Sequence, residues 1–511
     1  MNGAQALIQT LASAGVRVCF ANPGTTEMHL VAALDGEVLI RPVLCLFEGV
    51  ATGAADGFAR MTGEPAMTLL HLGPGYLNGG ANIHNLRRAR VPAIHVIGDH
   101  ATYHHPLDPP LAADIEALVA PMAAWTVMPR TAGETGHAAA EAWAASFGPP
   151  AGNAFVIVPA DAAWEEGGAS ASLPRRAAPA APDPTLIAVA AEALRAARKP
   201  AVLAAGSALL EDGLAQLARL AAVGVRVLQD TFPARADRGA RRFAPERLTY
   251  FPELAQSALA EIDALALLGS TPPVAFFAYP GKANVLAPAG ARMIEVGGPE
   301  IDSAAAAGAL ADALGAPAQG EGAPASEPPA VSGPLNAYAV ATSLARRMPE
   351  GAIVCDDGVT SAFTIHLNTA GAARHTWLYG AGGAIGEGMP LAIGAAVARP
   401  DAKVICLAGD GAAAYTLQSL WTMARERLDI LTIVFANRAY MVLNVEMMRA
   451  GAAPGEAARK LFSLGDPPLD WVKLAEGQGV HAVRSATAGE FDAALARLLA
   501  QPGPKLIEAV F

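Results

Sequence analysis

The most constraining feature of this chain is a strand, helix, strand unit near its carboxyl end. Residues 404–408 and 431–435 are apolar and strand-like, and residues 417–424 repeat apolar side chains at helical spacing. A helical crossover between two strands of one sheet makes those strands parallel. The sequence therefore predicts an α/β protein with a parallel sheet in this region.

Polar residues follow both of these predicted strands. Asp410, within Gly409-Asp410-Gly411, follows the first strand, and Asn437 follows the second. Because parallel strands end at the same edge of a sheet, we expect the two side chains to lie close together. Carboxylate and amide oxygens are ligands that Mg²⁺ or Ca²⁺ accepts, and the glycines leave backbone N–H groups free to approach a phosphate. The pattern predicts a combined metal and phosphate site.

Length and composition exclude several classes of protein. The chain has 511 residues and a net charge of −11 without a basic run, so neither nucleic acid nor an anionic membrane is an expected partner. The longest uncharged stretch, residues 264–281, is broken by prolines and glycines and does not predict a membrane span. The amino terminus lacks a signal-peptide pattern, and the four cysteines have no C-x-x-C spacing. We expect a cytoplasmic protein with free thiols.

Two segments have the composition of linkers. Residues 166–185 and 316–335 are rich in Pro, Ala, Gly and Ser and show no periodicity. They divide the chain into domains at residues 1–165, 186–315 and 336–511. Each part alternates strand-like and helical patterns, so we expect three domains with mostly parallel sheets flanked by helices.

Together, the GDG and the Asn 27 residues later resemble the signature of thiamin diphosphate enzymes. In that family the Asp, the Asn and a main-chain carbonyl two residues further on hold the metal, which implies Asp410, Asn437 and Ala439 as ligands of Mg²⁺ here. Ala436 departs from the family, which often has an Asn at this place. The order of domains is also similar to the family's pyrimidine-binding (PYR), middle and diphosphate-binding (PP) domains.

Polar residues also end the predicted strands of the first domain. They are Asn22-Pro23-Gly24-Thr25-Thr26 after residues 16–20, Glu48 after residues 43–47, His71 after residues 67–70, and Asp99-His100 after residues 93–97. If these strands are parallel, one edge of the sheet carries an acid, two histidines and hydroxyl groups. That edge is a candidate active site.

Glu48 is the candidate activator of the cofactor. Thiamin diphosphate supplies a C2 carbanion that acts as an electron sink. In the family, a Glu at a strand-to-helix junction shares a proton with N1′ of the aminopyrimidine, and Phe47-Glu48-Gly49 resembles that junction. Burial against Leu46 and Phe47 would keep this proton shared. The alternative is a Glu that only complements a helix dipole, but the metal motif favours the catalytic role.

His71 is followed by Gly73-Pro74-Gly75 and resembles the active-site His of benzoylformate decarboxylases, and Thr25 falls where those enzymes have a Ser. A neutral His can orient a keto-acid carboxylate and relay a proton after CO₂ leaves. A buried structural His is the alternative. The second His of those decarboxylases is replaced by Phe276, beside Phe277, so the donor substrate can differ.

Three histidines lie close together in one loop. A His-His pair resembles pyruvate decarboxylases, and His104-His105 follows His100 closely, so the sequence leaves a pocket role for His100 and a solvated surface loop equally open. The spacing lacks a fourth ligand for zinc.

The remaining cofactor contacts are implied by the resemblance. Ile385 is the candidate for the bulky residue that holds the cofactor in a V shape, and Asp356-Asp357-Gly358-Val359-Thr360 resembles a loop that touches the diphosphate. Leu443 is a candidate for an apolar substrate pocket or the core. The full set of expected cofactor-binding residues is Asn22, Pro23, Gly24, Glu48, Asp357, Gly358, Thr360, Gly383, Ile385, Gly409, Asp410, Gly411, Ala412, Asn437, Ala439, Tyr440 and Met441.

The sequence therefore predicts a thiamin diphosphate- and Mg²⁺-dependent enzyme for a 2-keto acid and, as a second substrate, an aldehyde acceptor. The expected activity is non-oxidative decarboxylation or carboligation in the benzoylformate decarboxylase and acetolactate synthase-like group. The family implies a homodimer as the smallest active unit, and we expect a homotetramer. Acetolactate synthase is the alternative. Those enzymes usually carry FAD and have a Gln where this chain has Asp99-His100, so FAD is not expected, although it is not excluded.

Two functions from other classes fit the sequence less well. A non-catalytic binder of thiamin diphosphate would not need Glu48. A nicotinamide dehydrogenase would need a strand that runs into G-x-G-x-x-G, which this chain lacks.

Overall fold

The computed structural model describes all 511 residues and contains three separate sheets. The first sheet has six parallel strands in the order β2-β1-β3-β4-β6-β5. Its strands are β1 Val18–Asn22, β2 Arg41–Leu44, β3 Ala66–His71, β4 Ala93–Asp99, β5 Trp125–Val127 and β6 Asn153–Pro159. Its helices are α1 Gly3–Ser13, α2 Met28–Asp35, α3 Glu48–Thr62, α4 Leu72–Ala89, α5 Ile115–Val119, α6 Ala132–Ser146 and α7 Ala160–Trp164.

The strands of the first domain are parallel, as predicted, so their polar ends share one edge. One expected strand is shorter than the pattern suggested, because β2 ends at Leu44 instead of reaching Phe47. Short 3₁₀ turns cover Thr25–Glu27 and His105–Leu107.

The second sheet has five strands in the order β10-β8-β7-β11-β12, again parallel. The strands of the middle part are β7 Pro200–Ala204, β8 Arg226–Gln229, β9 Arg235–Arg238, β10 Glu246–Arg247, β11 Ala264–Leu268 and β12 Arg292–Gly297. Its helices are α8 Pro184–Ala196, α9 Glu211–Ala222, α10 Pro252–Leu259 and α11 Ser303–Ala313, with a 3₁₀ turn at Gly206–Leu209. Asp183 and Asp302 cap α8 and α11 by accepting backbone N–H bonds.

The third sheet has seven strands in the order β17-β18-β16-β15-β13-β14-β9. Its strands are β13 Ala352–Asp357, β14 His375–Tyr379, β15 Val404–Gly409, β16 Ile430–Ala436, β17 His481–Ser485 and β18 Lys505–Val510. Its helices are α12 Ala337–Arg347, α13 Val359–Asn368, α14 Gly388–Ala398, α15 Asp410–Tyr415, α16 Ser419–Arg425, α17 Met441–Arg449, α18 Glu456–Phe462, α19 Trp471–Gly477 and α20 Ala488–Leu499.

Two details of the third sheet differ from expectation. The helix expected over residues 417–424 begins later, because α16 starts at Ser419, and a separate short helix, α15, precedes Leu417. The edge strand β9 comes from the middle part of the chain and pairs antiparallel with β14. The predicted crossover itself is present, because β15 and β16 are parallel and buried.

The first and third parts of the chain pack together through α3 and α14. Gly57 and Gly394 allow this approach, because a Cβ at Gly57 would lie 2.0 Å from the Leu391 carbonyl oxygen, and one at Gly394 would lie 1.9 Å from that of Ala54. This contact places α3, which begins at Glu48, against α14, which follows the glycine-rich loop. No helix has both the length and the continuous apolar character that crossing a membrane requires.

Candidate active site

Asp410 and the turn after Asn437 lie together at the carboxyl edge of the third sheet. Asp410 begins α15 directly after β15, and its Oδ2 accepts a hydrogen bond of 2.7 Å from the backbone N–H of Arg438. The side chain of Asn437 accepts a bond of 3.0 Å from the Ala439 N–H. The Ala439 carbonyl accepts one bond from Met441 and keeps a second lone pair. Carboxylate, amide and main-chain carbonyl oxygens are therefore all present at this turn.

A cation fits this place. The Asp410 carboxyl is buried, and burial raises its pKa, while N–H bonds from Arg438 and Gly411 oppose that rise. No charged side chain forms an ion pair with Asp410, and a buried carboxylate without a partner is costly. Mg²⁺ would supply the missing positive charge, with Asp410, Asn437 and Ala439 as its protein ligands.

Three site strands end in strained backbone. Leu72, Val359 and Arg438 have φ values of 52°, 46° and 56°, in the left-handed region that side chains other than glycine rarely adopt. They directly follow His71, Gly358 and Asn437. Left-handed residues of this kind cost on the order of 1–3 kcal/mol and cluster at functional sites.

The Asp357 side chain holds the glycine-rich loop of residues 380–388 by hydrogen bonds. The Asp357 Oδ2 accepts N–H bonds of 2.9 Å from Gly386 and 3.1 Å from Gly388. Burial raises the pKa of Asp357 to about 7. This side chain thus braces the loop that carries Ile385, which is half-buried. Near the start of α13, Gly358 is buried and Thr360 is exposed, so the role predicted for them at the diphosphate stays a prediction.

The same loop is held from the other side by α4 of the first domain. Asn85 donates 3.0 Å to the Ala384 carbonyl and accepts 3.2 Å from the Ala384 N–H. His84 Nε2 lies 3.1 Å from the Gly382 carbonyl. These contacts join residues about 300 positions apart, and sequence reasoning missed both side chains.

Glu48 begins α3 and has one polar partner. Its Oε2 accepts a hydrogen bond of 3.0 Å from Asn78, and the carboxyl group lies beside Gly75, the last glycine of the Gly73-Pro74-Gly75 motif. Glu48 is buried, as expected, but Leu46, which lies beyond the end of β2, is 46% exposed and does not cover it within one chain. Leu77, on the same turn of α4 as Asn78, is 61% exposed. Exposed apolar side chains therefore flank this acid.

His71 lies at the end of β3, and its Nδ1 is 2.8 Å from a carboxylate oxygen of Glu27. The Thr26 hydroxyl is 3.3 Å from the same nitrogen. Thr25, the expected counterpart of a Ser, is exposed and its hydroxyl forms no hydrogen bond in the chain. Sequence reasoning missed Glu27, whose carboxylate accepts the backbone N–H of Gly24, three residues earlier, at 2.7 Å. This contact is the acidic half of a capping box.

Asn22, Pro23 and Gly24 lead from β1 into the turn beside His71. At the third-domain site, Gly409, Gly411 and Ala412 surround Asp410, and a Cβ at Gly411 would lie 2.3 Å from the Tyr440 ring. Gly411 is therefore required by the packing of Tyr440. Contacts of these residues with a cofactor stay predictions.

The histidine loop is organised by Asp99. The Asp99 carboxylate accepts the His100 N–H at 2.8 Å, and His105 Nε2 lies 3.8 Å from it. His100 Nε2 is 3.1 Å from the Pro110 carbonyl, and its ring packs edge-on against His104. No group of three or more His, Cys, Asp or Glu side chains in the molecule could hold a metal. A catalytic role for His100 stays a prediction.

The middle domain contributes an aromatic wall. Phe276 packs against Phe277 and Tyr250, and its ring lies 2.7 Å from where a Cβ at Gly383 would be. The Tyr279 hydroxyl hydrogen-bonds Glu446 on α17, the helix that also carries Met441 and Leu443. Phe276, Phe277, Met441 and Leu443 are all more than 40% exposed. They are available to line a substrate pocket.

A cavity of about 880 Å³ lies among the three domains. It opens at the carboxyl ends of the middle-domain strands, where α/β sheets bind ligands. Arg87, Arg88 and Arg90 line it from the first domain, and Ser207 and Asp230 line it from the middle domain. Phe276 and Gly382 form the wall nearest the glycine-rich loop.

Comparison with known proteins agrees with this geometry. Residues 1–117 match the model described as thiamine pyrophosphate enzyme, N-terminal TPP binding domain. Residues 356–509 match the corresponding C-terminal TPP binding domain, thiamine pyrophosphate being another name for thiamin diphosphate. The chain belongs to the thiamine pyrophosphate enzyme family.

Similarity to relatives and to solved structures extends over nearly the whole chain. It is 47% identical to the "Putative acetolactate synthase large subunit IlvX" of Mycobacterium tuberculosis over 100% of this chain and 99% of that protein. It is 28% identical to benzoylformate decarboxylase of Pseudomonas aeruginosa, over 97% of this chain and 96% of that enzyme. The fold matches a thiamine diphosphate-dependent 4-hydroxybenzoylformate decarboxylase of Rhodococcus jostii RHA1, with a TM-score of 0.86, 24% identity, and coverage of 99% and 98%.

Proposed function

We propose that this protein is a thiamin diphosphate- and Mg²⁺-dependent enzyme that decarboxylates a 2-keto acid without oxidation and can join the product to an aldehyde. The observation that carries the proposal is Glu48, a buried acid held by Asn78 at the edge of the first sheet. A protein that only bound the cofactor would not need an acid there. The family's decarboxylases and carboligases among the relatives support the same reaction class.

The cofactor, when bound, would supply a carbanion and an electron sink for the decarboxylation. Glu48 would hold a proton at N1′ of the aminopyrimidine. Asn78 keeps the carboxyl group in place with a bond to one oxygen, which leaves the other oxygen, beside Gly75, to carry the shared proton. Asp410, Asn437 and Ala439 would hold Mg²⁺ against the diphosphate.

His71 is the residue that would handle the substrate. It is 21% exposed at the same sheet edge as Glu48, and one ring nitrogen is engaged by Glu27. The other nitrogen, Nε2, can donate a hydrogen bond to the keto-acid carboxylate and later a proton to the carbon that CO₂ left. Phe276, Phe277 and Leu443 would give the pocket an apolar wall.

A second copy of the chain would complete the site. Leu46 and Leu77 are exposed beside Glu48, and an acid that shares a proton works in a dry environment. The third domain of a partner would cover these side chains and bring the aminopyrimidine of its bound cofactor to Glu48. We therefore propose a homodimer as the smallest active unit and a homotetramer as the full assembly.

A panel of 2-keto acids tests the proposal. Purified protein with thiamin diphosphate and Mg²⁺ should release CO₂ from at least one of pyruvate, branched 2-keto acids and benzoylformate. Added aldehydes should yield 2-hydroxy ketones. If the holoenzyme released no CO₂ and formed no hydroxy ketone from any of them, the proposed reaction would be wrong.

Acetolactate synthase activity is the second candidate, favoured by the relative that is 47% identical. Enzymes of that type usually carry FAD, and the arginine-lined cavity of about 880 Å³ has room for a large anionic ligand. The visible spectrum of the purified protein and its product from pyruvate separate the two candidates. A flavin spectrum together with acetolactate would favour the synthase, whereas a colourless protein that makes aldehyde would favour the decarboxylase.

A further inference from the structure

The buried carboxylate of Glu27 contacts the His71 ring. The Glu27 side chain is 0% exposed, and its Oε2 accepts the Gly24 N–H at 2.7 Å and lies 2.8 Å from His71 Nδ1. The Thr26 hydroxyl donates to the other oxygen. A carboxylate with three donors is well satisfied in its burial, so its orientation is fixed.

Two glycines make room for this pair. A Cβ at Gly24 would lie 2.2 Å from His71 Nδ1, and a Cβ at Gly98 would lie 1.9 Å from the Glu27 Oε1. Gly98 is on β4, at the position paired with His71 on β3. Any side chain at either position would push the imidazole or the carboxylate away. The strand ends therefore form a niche whose shape fits this acid and this imidazole.

We propose that Glu27 is a positioning residue for His71, an inference that rests on the proposed function. With its Nδ1–H held by Glu27, the imidazole presents Nε2 to the pocket in a defined tautomer. When His71 carries a second proton on Nε2, the carboxylate stabilises the positive charge that spreads over the ring. The Nε2 proton passes to the carbon that CO₂ left. The Nδ1 proton stays on Nδ1, hydrogen-bonded to Glu27.

The reactivity of His71 tests this pairing without any substrate. Diethyl pyrocarbonate acylates a neutral imidazole nitrogen, and peptide mass spectrometry gives a rate for each histidine. In Glu27→Gln the rate at His71 should fall several-fold, whereas the rate at the exposed His481 should not change and serves as an internal reference. Equal rates at His71 in the wild type and the variant would overturn the proposal, even if the protein were not a decarboxylase.

A double-mutant cycle tests the consequence for turnover. Loss of a charged hydrogen bond predicts a fall in kcat of about 10- to 100-fold for Glu27→Gln. Because Glu27 acts through His71, the double variant with His71→Ala should be no slower than His71→Ala alone. The matched control is Glu37→Gln, a partly exposed acid that accepts a bond only from its own loop, and it should keep wild-type kcat.

Thermal unfolding and the thermal shift with cofactor show whether each variant is folded and binds. A further loss of about 10-fold or more in the double variant would mean that Glu27 has a general structural role, which contradicts the proposal. If neither the wild type nor any variant turned over a keto acid, the proposed function would be wrong. The acylation rates would still test the pairing of Glu27 with His71.

Discussion

A buried ionic cluster joins the three domains, and replacing Arg60 by Met should weaken both folding and cofactor binding. Arg60 lies on α3 with its side chain 0% exposed, and it forms bonds of 2.5 and 2.7 Å to Asp56 and 2.5 Å to Glu387. It also donates to carbonyls of Ala234 and Tyr379. Burial raises the pKa of Glu387, while the Arg60 charge opposes that rise.

The expected magnitude follows from this burial. Removing one partner of a buried ion pair costs about 3–5 kcal/mol, because the remaining charges stay unpaired. An unfolding entropy of about 2.1 cal/mol/K per residue gives roughly 1 kcal/mol/K for a chain of 511 residues that unfolds in one transition. Arg60→Met should therefore lower Tm by about 3–5 °C.

Cofactor affinity should fall as well. Glu387 ends the glycine-rich loop and precedes α14, so loss of Arg60 releases the loop that carries Ile385. Differential scanning calorimetry measures Tm, and the thermal shift with thiamin diphosphate and Mg²⁺ measures binding.

The matched control is Arg399→Met. Arg399 pairs with Asp401, and both side chains are about half exposed or more, so that pair should contribute at most about 1 kcal/mol. If Arg60→Met and Arg399→Met unfolded at the same temperature, the reasoning about the buried cluster would be refuted.

Three further predictions concern the site. Asp410→Ala should purify without cofactor and give no thermal shift with thiamin diphosphate and Mg²⁺, because the diphosphate charge loses its metal bridge; a wild-type shift would reject the metal site. His71→Ala should impair decarboxylation more than hydroxy ketone formation, since it removes the proton relay, and an unchanged product ratio by chromatography would argue against that relay. Burial raises the pKa of Asp357 from 3.8 to about 7, so the folded chain binds a proton that the unfolded chain has lost, and stability should fall as pH rises from about 4 to 7. The Tm of the cofactor-free protein should therefore drop more between pH 5 and pH 8 than that of Asp357→Asn, and equal drops would contradict the shift.

The local pattern of the sequence was sufficient for the α/β fold and for the sheet edge that carries the site. The crossover at β15 and β16 needs only apolar runs and helical spacing, and its parallel pairing brings Asp410 to the turn after Asn437. The polar ends of β1, β3 and β4 follow from the same rule.

What the sequence could not predict depends on contacts between distant residues. Strand β9 joins the third sheet through pairing with β14, more than 130 residues away, and no local pattern encodes that pairing. Glu27 meets His71 across 44 positions, and Asn85 meets Ala384 across 299. Leu46 was expected to cover Glu48, but Leu46 itself is 46% exposed while Glu48 is buried, and only the tertiary structure could reveal that arrangement.

The most direct test of the central claim is the rate of hydrogen–deuterium exchange at C2 of bound thiamin diphosphate. It reports activation of the cofactor by Glu48 without requiring the substrate to be known. Glu48→Gln cannot share the N1′ proton in the same way, so exchange in this variant should be about 10²-fold slower or more than in the wild type, while the cofactor still binds. Exchange at the wild-type rate in Glu48→Gln would contradict the account.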